Sequence, residues 1–333
     1  MISLLGLFLL NLLMLWGLEK TVFWRQLLFW ILGGALFYLA KKIGAKNLFS
    51  LGKKIYLLTI ISLALPLLLG QIIRGSSRWV TIAGFSLQPS EFAKPLLIGF
   101  IAWYLSKKEI NSLKHFLLIF LLIIVPVFLT LLQPDLGSAA IMFLTLAILI
   151  LIARPKLNWW LILGGILCLG SLASWNKLIH PYQISRIKSF LNPRQDPLGG
   201  GYNFIQAQMA IGAGGLLGRG FGQGRQTQLA YLPEKHTDFV FASLAEELGF
   251  LGVAFLLVFY FRFFSWLLKK TFSSKDKFAF YLRIGVFLQL FLQTAINIAM
   301  NLGASPVVGL PLPLVSYGGS SLISTLFSLG LII

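Results

Sequence analysis

The stretch Leu232–Gly249, LPEKHTDFVFASLAEELG, sets a proline, a histidine, a lysine and a threonine directly before an apolar run, and it holds four of the ten acids in the chain. A carboxylate in hydrocarbon costs kilocalories per mole and persists mainly where it pairs, lines a cavity or takes part in function. Asp238 stands at the entrance to that run, beside Lys235 and His236. Thr237 or Asp238 is also placed to cap the helix that follows. Glu246 and Glu247 lie roughly 12 to 13 Å further along that helix at about 1.5 Å per residue, which a cap does not explain. Asp238 and Glu246, two turns apart, fall near one face and Glu247 points some 100° away. We read Glu246 and Glu247 as structural acids buried among helices.

Three other constellations carry polar groups. In RGSSRWVTIAGFSLQPSEFAK, residues 74–94, Arg74 and Arg78 are cations in a short connection and Trp79 is a natural interface anchor. Lys94 stands one turn from Glu91, so the two can pair at i, i+3. The segment reads either as helix capping plus a buried ion pair, or as rim arginines and an inner lysine that hold a phosphate. In LLQPDLGSAA, residues 131–140, Asp135 either caps the next helix or presents a proline-fixed carboxylate to a central cavity. In INIAMNLGASPVVGLPLPLVSYGGSS, residues 296–321, Asn297 and Asn301 are one turn apart. There Pro306, Pro311, Pro313 and Gly318–Ser321 interrupt the helix, and irregular backbone at membrane depth lines a cavity or is buried in protein.

The elements that must position these groups are membrane helices. The 333 residues are 57% hydrophobic and 11% charged, with mean hydropathy +0.85, against roughly 25% charged in a soluble domain. Apolar runs long enough to span recur along the whole chain, without the alternating strands of a barrel. We expect an all-α, polytopic membrane protein, a single domain over residues 1–333. Its ten spans fall near 1–18, 23–40, 54–73, 91–106, 113–132, 136–153, 157–175, 238–261, 281–301 and 314–333, with a large extracytoplasmic loop, 176–237, between the seventh and eighth. With both termini cytoplasmic, the inner connections hold sixteen of the 28 Lys and Arg, and the outer ones hold Lys20, Arg25, Arg74 and Arg78, as the positive-inside rule asks. Lys20 and Arg25 run mildly against it.

The net charge of +18 thus reflects topology and an anionic inner leaflet, and no nucleic-acid partner is expected. Eight of the ten acids lie toward the outer face, leaving Glu109 and Asp276 on the cytoplasmic side. The start, MISLLGLFLLNLLMLWG, reads as a retained first helix, with no basic leader or cleavage site. The lone Cys168 forms no disulfide framework or cysteine metal site and is read as a packing residue. Within the loop, Gly199–Gly224 holds ten glycines in 26 residues, fits no nucleotide-binding register, and allows tight backbone paths beside a ligand or on the membrane surface.

In order and spacing, SRWVTIAGFSLQPSEFAK, QPDLGSA, DPLGGGYNFIQAQMAIGAGGLLGRGFGQG, LPEKHTDFVFASLAEELG and PVVGLPLPLVSYGGSS resemble the SEDS family (shape, elongation, division, sporulation) of cell-wall polymerases. The resemblance runs from about Arg74 to the end. Within the family, HTDF with LAEELG, and PLPLVSYGGS, look more like the elongation (RodA) branch than the division (FtsW) branch. The resemblance implies a peptidoglycan glycosyltransferase of the bacterial cytoplasmic membrane. It would polymerise lipid II onto a growing glycan strand, invert the anomeric carbon and release undecaprenyl pyrophosphate. From the HTD motif it carries the role of general base to Asp238. As partners it implies a class B penicillin-binding protein, which cross-links the strands, and other elongation or division complex proteins.

Our own reading of the residues gives the phosphates to Arg74, Arg78 and Lys94, joined by Arg186, Lys188 and Lys235. Glu91 and Asp135 would orient those cations, line the cavity or help hold a divalent ion, and His236, Ser316 and Gly318 complete the substrate-binding set. Oxygen ligands for a divalent cation, Mg or Mn, are present without a spacing that identifies a metal site. The alternatives are a division-type polymerase, a lipid II flippase with ten helices and buried charges, and a non-catalytic scaffold.

Overall fold

The computed structural model describes residues 2–333 except 70, 74, 75, 83, 84, 165–185, 187, 198 and 200, and the side chains of 46, 71–73, 76, 77, 82, 85 and 194 also fall outside the description. Arg74 and Cys168 therefore lie outside the described residues, as does most of the expected seventh span, which is helical over 157–164.

Nine of the ten expected spans coincide with helices. These are α1 (Ile2–Leu18), α2 (Lys20–Leu69), which contains two of them, α3 (Pro89–Lys107), α4 (Leu113–Leu131) and α5 (Leu136–Ile152). After the loop, whose helices are α6 (Tyr202–Gly214) and the single turn α7 (Arg225–Gln228), come α8 (Val240–Phe272), α9 (Lys277–Leu302) and α10 (Gly319–Ile332). Among the described residues five segments are long and apolar enough to cross a membrane by themselves, the two parts of α2 and helices α4, α8 and α9. Charged side chains inside α3 keep it off that set although most of its residues are buried.

Local chemistry ends the helices where expected. Ser112 accepts from His115 N to start α4, Asp135 accepts from Ser138 N to start α5, and Asp276 accepts from Ala279 N to start α9. Gly303, at φ 83°, closes α9 in the left-handed conformation. The inner connection KKIGAKNLFSLGKK differs from a simple loop. Its residues stay helical and break only at Gly44 and Gly52, so that α2 is two spans joined by a kinked helical passage.

A small antiparallel sheet, absent from the sequence expectations, stands between α2 and α3. Strands β1 (Gln71–Ile73), β2 (Ser76–Ile82) and β3 (Phe85–Leu87) pair in that order, with Gln71 opposite Trp79 and Thr81 opposite Ser86. Its last strand is tied to the start of α10, where Ser320 Oγ accepts from Gln88 N at 3.0 Å.

The loop does not lie apart from the bundle. At Gly249 (φ 66°, ψ −164°) α8 is broken, which would leave backbone groups open at membrane depth. The loop takes them up. Phe250 N donates to Gly215 O (2.9 Å) and Leu251 N to Leu216 O (3.1 Å), while Arg219 N and Gly220 N donate to Glu246 O and Glu247 O. A Cβ on Gly214 would sit 1.9 Å from Ala245 O, and one on Gly218 would sit 2.1 Å from Glu247 O. These glycines serve backbone-to-backbone contact with α8.

Candidate active site

A cavity of about 650 Å³ opens between α2, the sheet, the start of α3, the segment before α8 and the start of α10. Its size is within the roughly 300–1,000 Å³ usual for ligand pockets. Arg25 and Phe29 of α2, Arg78 and Trp79 of β2, Glu91 of α3, Arg186, Glu234 and His236 to Asp238 all contribute to its wall, as do Tyr317 to Ser321.

Asp238 stands outside the helix that the sequence has it capping. The chain turns at 233–239, where Thr237 N and Phe239 N donate to Glu234 O, and α8 begins at Val240 with Phe239 as its uncapped N-terminal residue. Neither Thr237 nor Asp238 caps α8, and the two-turn spacing does not put Asp238 and Glu246 on one face. The half-buried Asp238 faces the cavity instead. Its backbone carbonyl accepts from Asn297 Nδ2 (3.0 Å) and Asn301 Nδ2 (3.1 Å) of α9. The pair of asparagines thus holds Asp238 by its main chain. Gly309, at φ 71°, passes so close that a Cβ there would lie 3.6 Å from Asp238 Oδ2.

Below the rim, Lys94 is 2% exposed and donates to Glu91 Oε1 at 2.7 Å, with Gln293 Oε1 at 3.4 Å as its second neighbour. Glu91 reaches the cavity wall while Lys94 stays behind it. Asp135 is also behind the wall. It caps α5, accepts from Gln88 Nε2 (2.7 Å) and Ser90 Oγ (3.0 Å), and lies 3.7 Å from Arg78 Nη1. Capping and orientation of a cavity arginine are both performed by the one carboxylate.

Of the other expected site residues, Arg186, His236 and Gly318 line the cavity. Ser316 Oγ is used internally, donating to Thr237 O and accepting from Leu312 N. Lys235 Nζ donates to Thr227 O at 2.7 Å, and Lys188 is exposed and away from the wall. Glu246 accepts from Gln226 N and Thr227 N at the start of α7, and Glu247 accepts from Gly222 N and Gln228 Nε2. Both acids stitch the loop to α8 and neither lines the cavity.

The sequence reading missed Arg25. It lines the cavity from inside the first span of α2, and no acid among the described residues pairs with it. Its one signal in the sequence was a cation on the side of the membrane where the positive-inside rule disfavours it. A cation of this kind in a span marks a ligand site by default. Arg25→Ala is expected to lower kcat/KM for an anionic substrate by about 10- to 100-fold, the worth of roughly 1.5–3 kcal/mol for a charge-assisted hydrogen bond. Initial rates measured against substrate concentration check this, with Arg25→Lys retaining part of the effect.

Among the described residues no three His, Cys, Asp or Glu side chains come together as a metal site. Of the acids on the cavity wall, Glu91 is already paired with Lys94.

A multi-pass bundle whose broken segments converge on a cavity walled by three arginines and by Glu91, Glu234 and Asp238 has the architecture of a membrane-embedded binding site. The chain belongs to the FtsW/RodA/SpoVE family, described as cell cycle proteins, whose model matches residues 2–333. It is 39% identical to the probable peptidoglycan glycosyltransferase FtsW of Aliivibrio salmonicida, over 93% of this chain and 78% of that protein. It is 38% identical to the peptidoglycan glycosyltransferase MrdB of Escherichia coli, over 84% of this chain and 75% of the relative. With the stage V sporulation protein E of Bacillus subtilis the identity is 36%, over 93% and 85%.

Solved structures agree. One, described as the structural coordination of polymerization and crosslinking by a peptidoglycan synthase complex, superposes with a TM-score of 0.86 at 32% identity, covering 99% of this chain and 94% of that one. The crystal structure of Thermus thermophilus rod shape determining protein RodA gives 0.75 at 29% identity, covering 99% and 93%.

Proposed function

We propose that this protein is a peptidoglycan glycosyltransferase that polymerises lipid II at the outer face of the bacterial cytoplasmic membrane. The observation that carries the reading is the Asp238 carboxylate in a cavity shared with Arg25, Arg78 and Arg186, in a chain whose relatives are named for this activity. The 4-hydroxyl of one disaccharide attacks the anomeric carbon of another. Its proton passes to Asp238, the new C–O bond forms on the face opposite the pyrophosphate, and the C–O bond to pyrophosphate breaks with its electron pair going to the leaving group. The arginines neutralise the charge that gathers on that leaving group.

The orientation, with both termini cytoplasmic, is supported by the distribution of lysine and arginine. It puts the cavity on the outer side, where the donor's sugar and phosphates stand above its polyprenyl tail. Within the family we favour the elongation role from the HTDF, LAEELG and PLPLVSYGGS wording, beside relatives named FtsW, MrdB and stage V sporulation protein E at similar identities. A class B penicillin-binding protein is the proposed partner, supported by the likeness to a chain of a synthase complex that couples polymerization and crosslinking. A divalent cation, Mg or Mn, enters the proposal only as a companion of the substrate's pyrophosphate, and synthesis with and without chelator measures it.

The test is purified protein in liposomes with lipid II. Glycan chains are expected. Transbilayer movement of labelled lipid II without polymer would replace the reading by transport, and inactivity in both assays, alone and with the partner transpeptidase, would leave a scaffold.

A further inference from the structure

The hairpin of α1 and α2 carries polar side chains that the reaction above does not use. Asn11 and Gln26 are both 0% exposed, and buried amides are costly unless their donors and acceptors are met. Their bonds go to one place. Gln26 Nε2 donates to Ser316 O (3.2 Å), Gln26 Oε1 accepts from Gly318 N (3.3 Å), and Asn11 Nδ2 donates to Val315 O (2.5 Å). Asn11 Oδ1 accepts from Trp30 Nε1 (2.7 Å) and from Gln26 Nε2 (3.4 Å), which fixes both amides relative to each other. The first helices thus clamp the backbone of residues 315–318.

That segment passes the constraint on. Ser316 Oγ donates to Thr237 O and Tyr317 N donates to His236 O at 2.7 Å, so the two residues before Asp238 hang on the clamped segment. From the opposite side Asn297 and Asn301 hold the carbonyl of Asp238 itself. Asp238 is therefore set by two supports, one from α9 and one from the hairpin. We infer that Gln26, locked by Asn11 and Trp30, is a positioning residue that places the Asp238 carboxylate through the 315–318 segment. The inference rests on the reading of Asp238 as the base. A base displaced by about 1 Å loses on the order of 100-fold in rate; Gln26 itself does not line the cavity, while Tyr317 and Gly318 of the clamped segment do, so the loss falls mainly on kcat with a smaller change in KM.

The experiment compares wild type, Gln26→Glu and Gln26→Leu, each as the full chain, in glycan synthesis from lipid II across pH. A protonated carboxyl at this position keeps the acceptor for Gly318 N and one donor, for Ser316 O. An ionised one offers only acceptors to Ser316 O and Asn11 Oδ1, and the clamp opens. The other titratable or charged groups around the clamp, Arg25 on α2, His236 and Asp238 before α8, and Tyr317 before α10, are common to both proteins and cancel in the ratio of variant to wild type.

That kcat ratio for Gln26→Glu is expected to fall at least about fivefold as pH rises from about 5.5 to about 9, with KM changing by less. Gln26→Leu, which never donates, should show kcat lowered by about 10- to 100-fold at every pH. A pH-independent ratio for Gln26→Glu, or a loss carried by KM, overturns the inference. A wild type that makes no glycan overturns the polymerase reading, and the inference with it.

Discussion

Asp238→Asn is expected to yield a folded, membrane-inserted protein whose glycan synthesis from purified lipid II falls by about 10²–10⁴-fold, the usual contribution of a general base. The fold should survive because the main chain at this point is held by others, the asparagines of α9 binding the carbonyl. The side chain caps nothing, since α8 starts at Val240. Asparagine keeps the size and loses the proton acceptor. Product length on gels, with thermal melting in detergent as the folding control, checks both halves. Undiminished chain growth by the variant would remove Asp238 from the mechanism.

The second large effect concerns the pair beneath the rim. Lys94 and Glu91 are 2% and 3% exposed and bonded at 2.7 Å, within a helix buried almost from end to end. Glu91→Gln leaves a buried ammonium facing only neutral amide oxygens, that of the new glutamine and Gln293 Oε1 at 3.4 Å, in place of its carboxylate. A buried charge robbed of its partner costs about 3–5 kcal/mol, whereas removing both charges together is often close to neutral. Glu91→Gln should therefore melt much earlier than wild type, and the double variant Glu91→Gln/Lys94→Met should regain most of the loss. Activity separates the two roles. Because Glu91 also forms part of the cavity wall, the double variant is expected to stay impaired in glycan synthesis while stable. A double variant that regains full activity would make the pair purely structural.

What could be read from the residues alone follows a physical division. The spans were legible because apolar runs of helical length have few other uses, and Glu91 with Lys94 was legible because i, i+3 is a local spacing. The acids of LPEKHTDFVFASLAEELG stood out against hydrocarbon, and Glu246 and Glu247 do bind backbone as structural acids. Contacts between distant parts of the chain left no such mark. Gln26 meets Ser316 across 290 positions and Asn11 meets Val315 across 304, and a single amide in an apolar helix has no period to betray its partner. The sheet escaped because two of its strands are three residues long. The break in α8 escaped because Gly249 alone does not open a helix; the loop that receives its hydrogen bonds does.

That break also bears on the order of assembly. The groups that α8 leaves open at Phe250 and Leu251, and at Glu246 and Glu247, are closed by residues 215–220 of the chain that precedes it. In apolar surroundings each unmet backbone group costs several kilocalories per mole. A broken α8 is thus not a stable intermediate by itself. Either it enters the bilayer as a continuous helix and is opened later by the arriving loop, or loop and helix enter together, so that residues 202–251 form one cooperative piece of the folding protein.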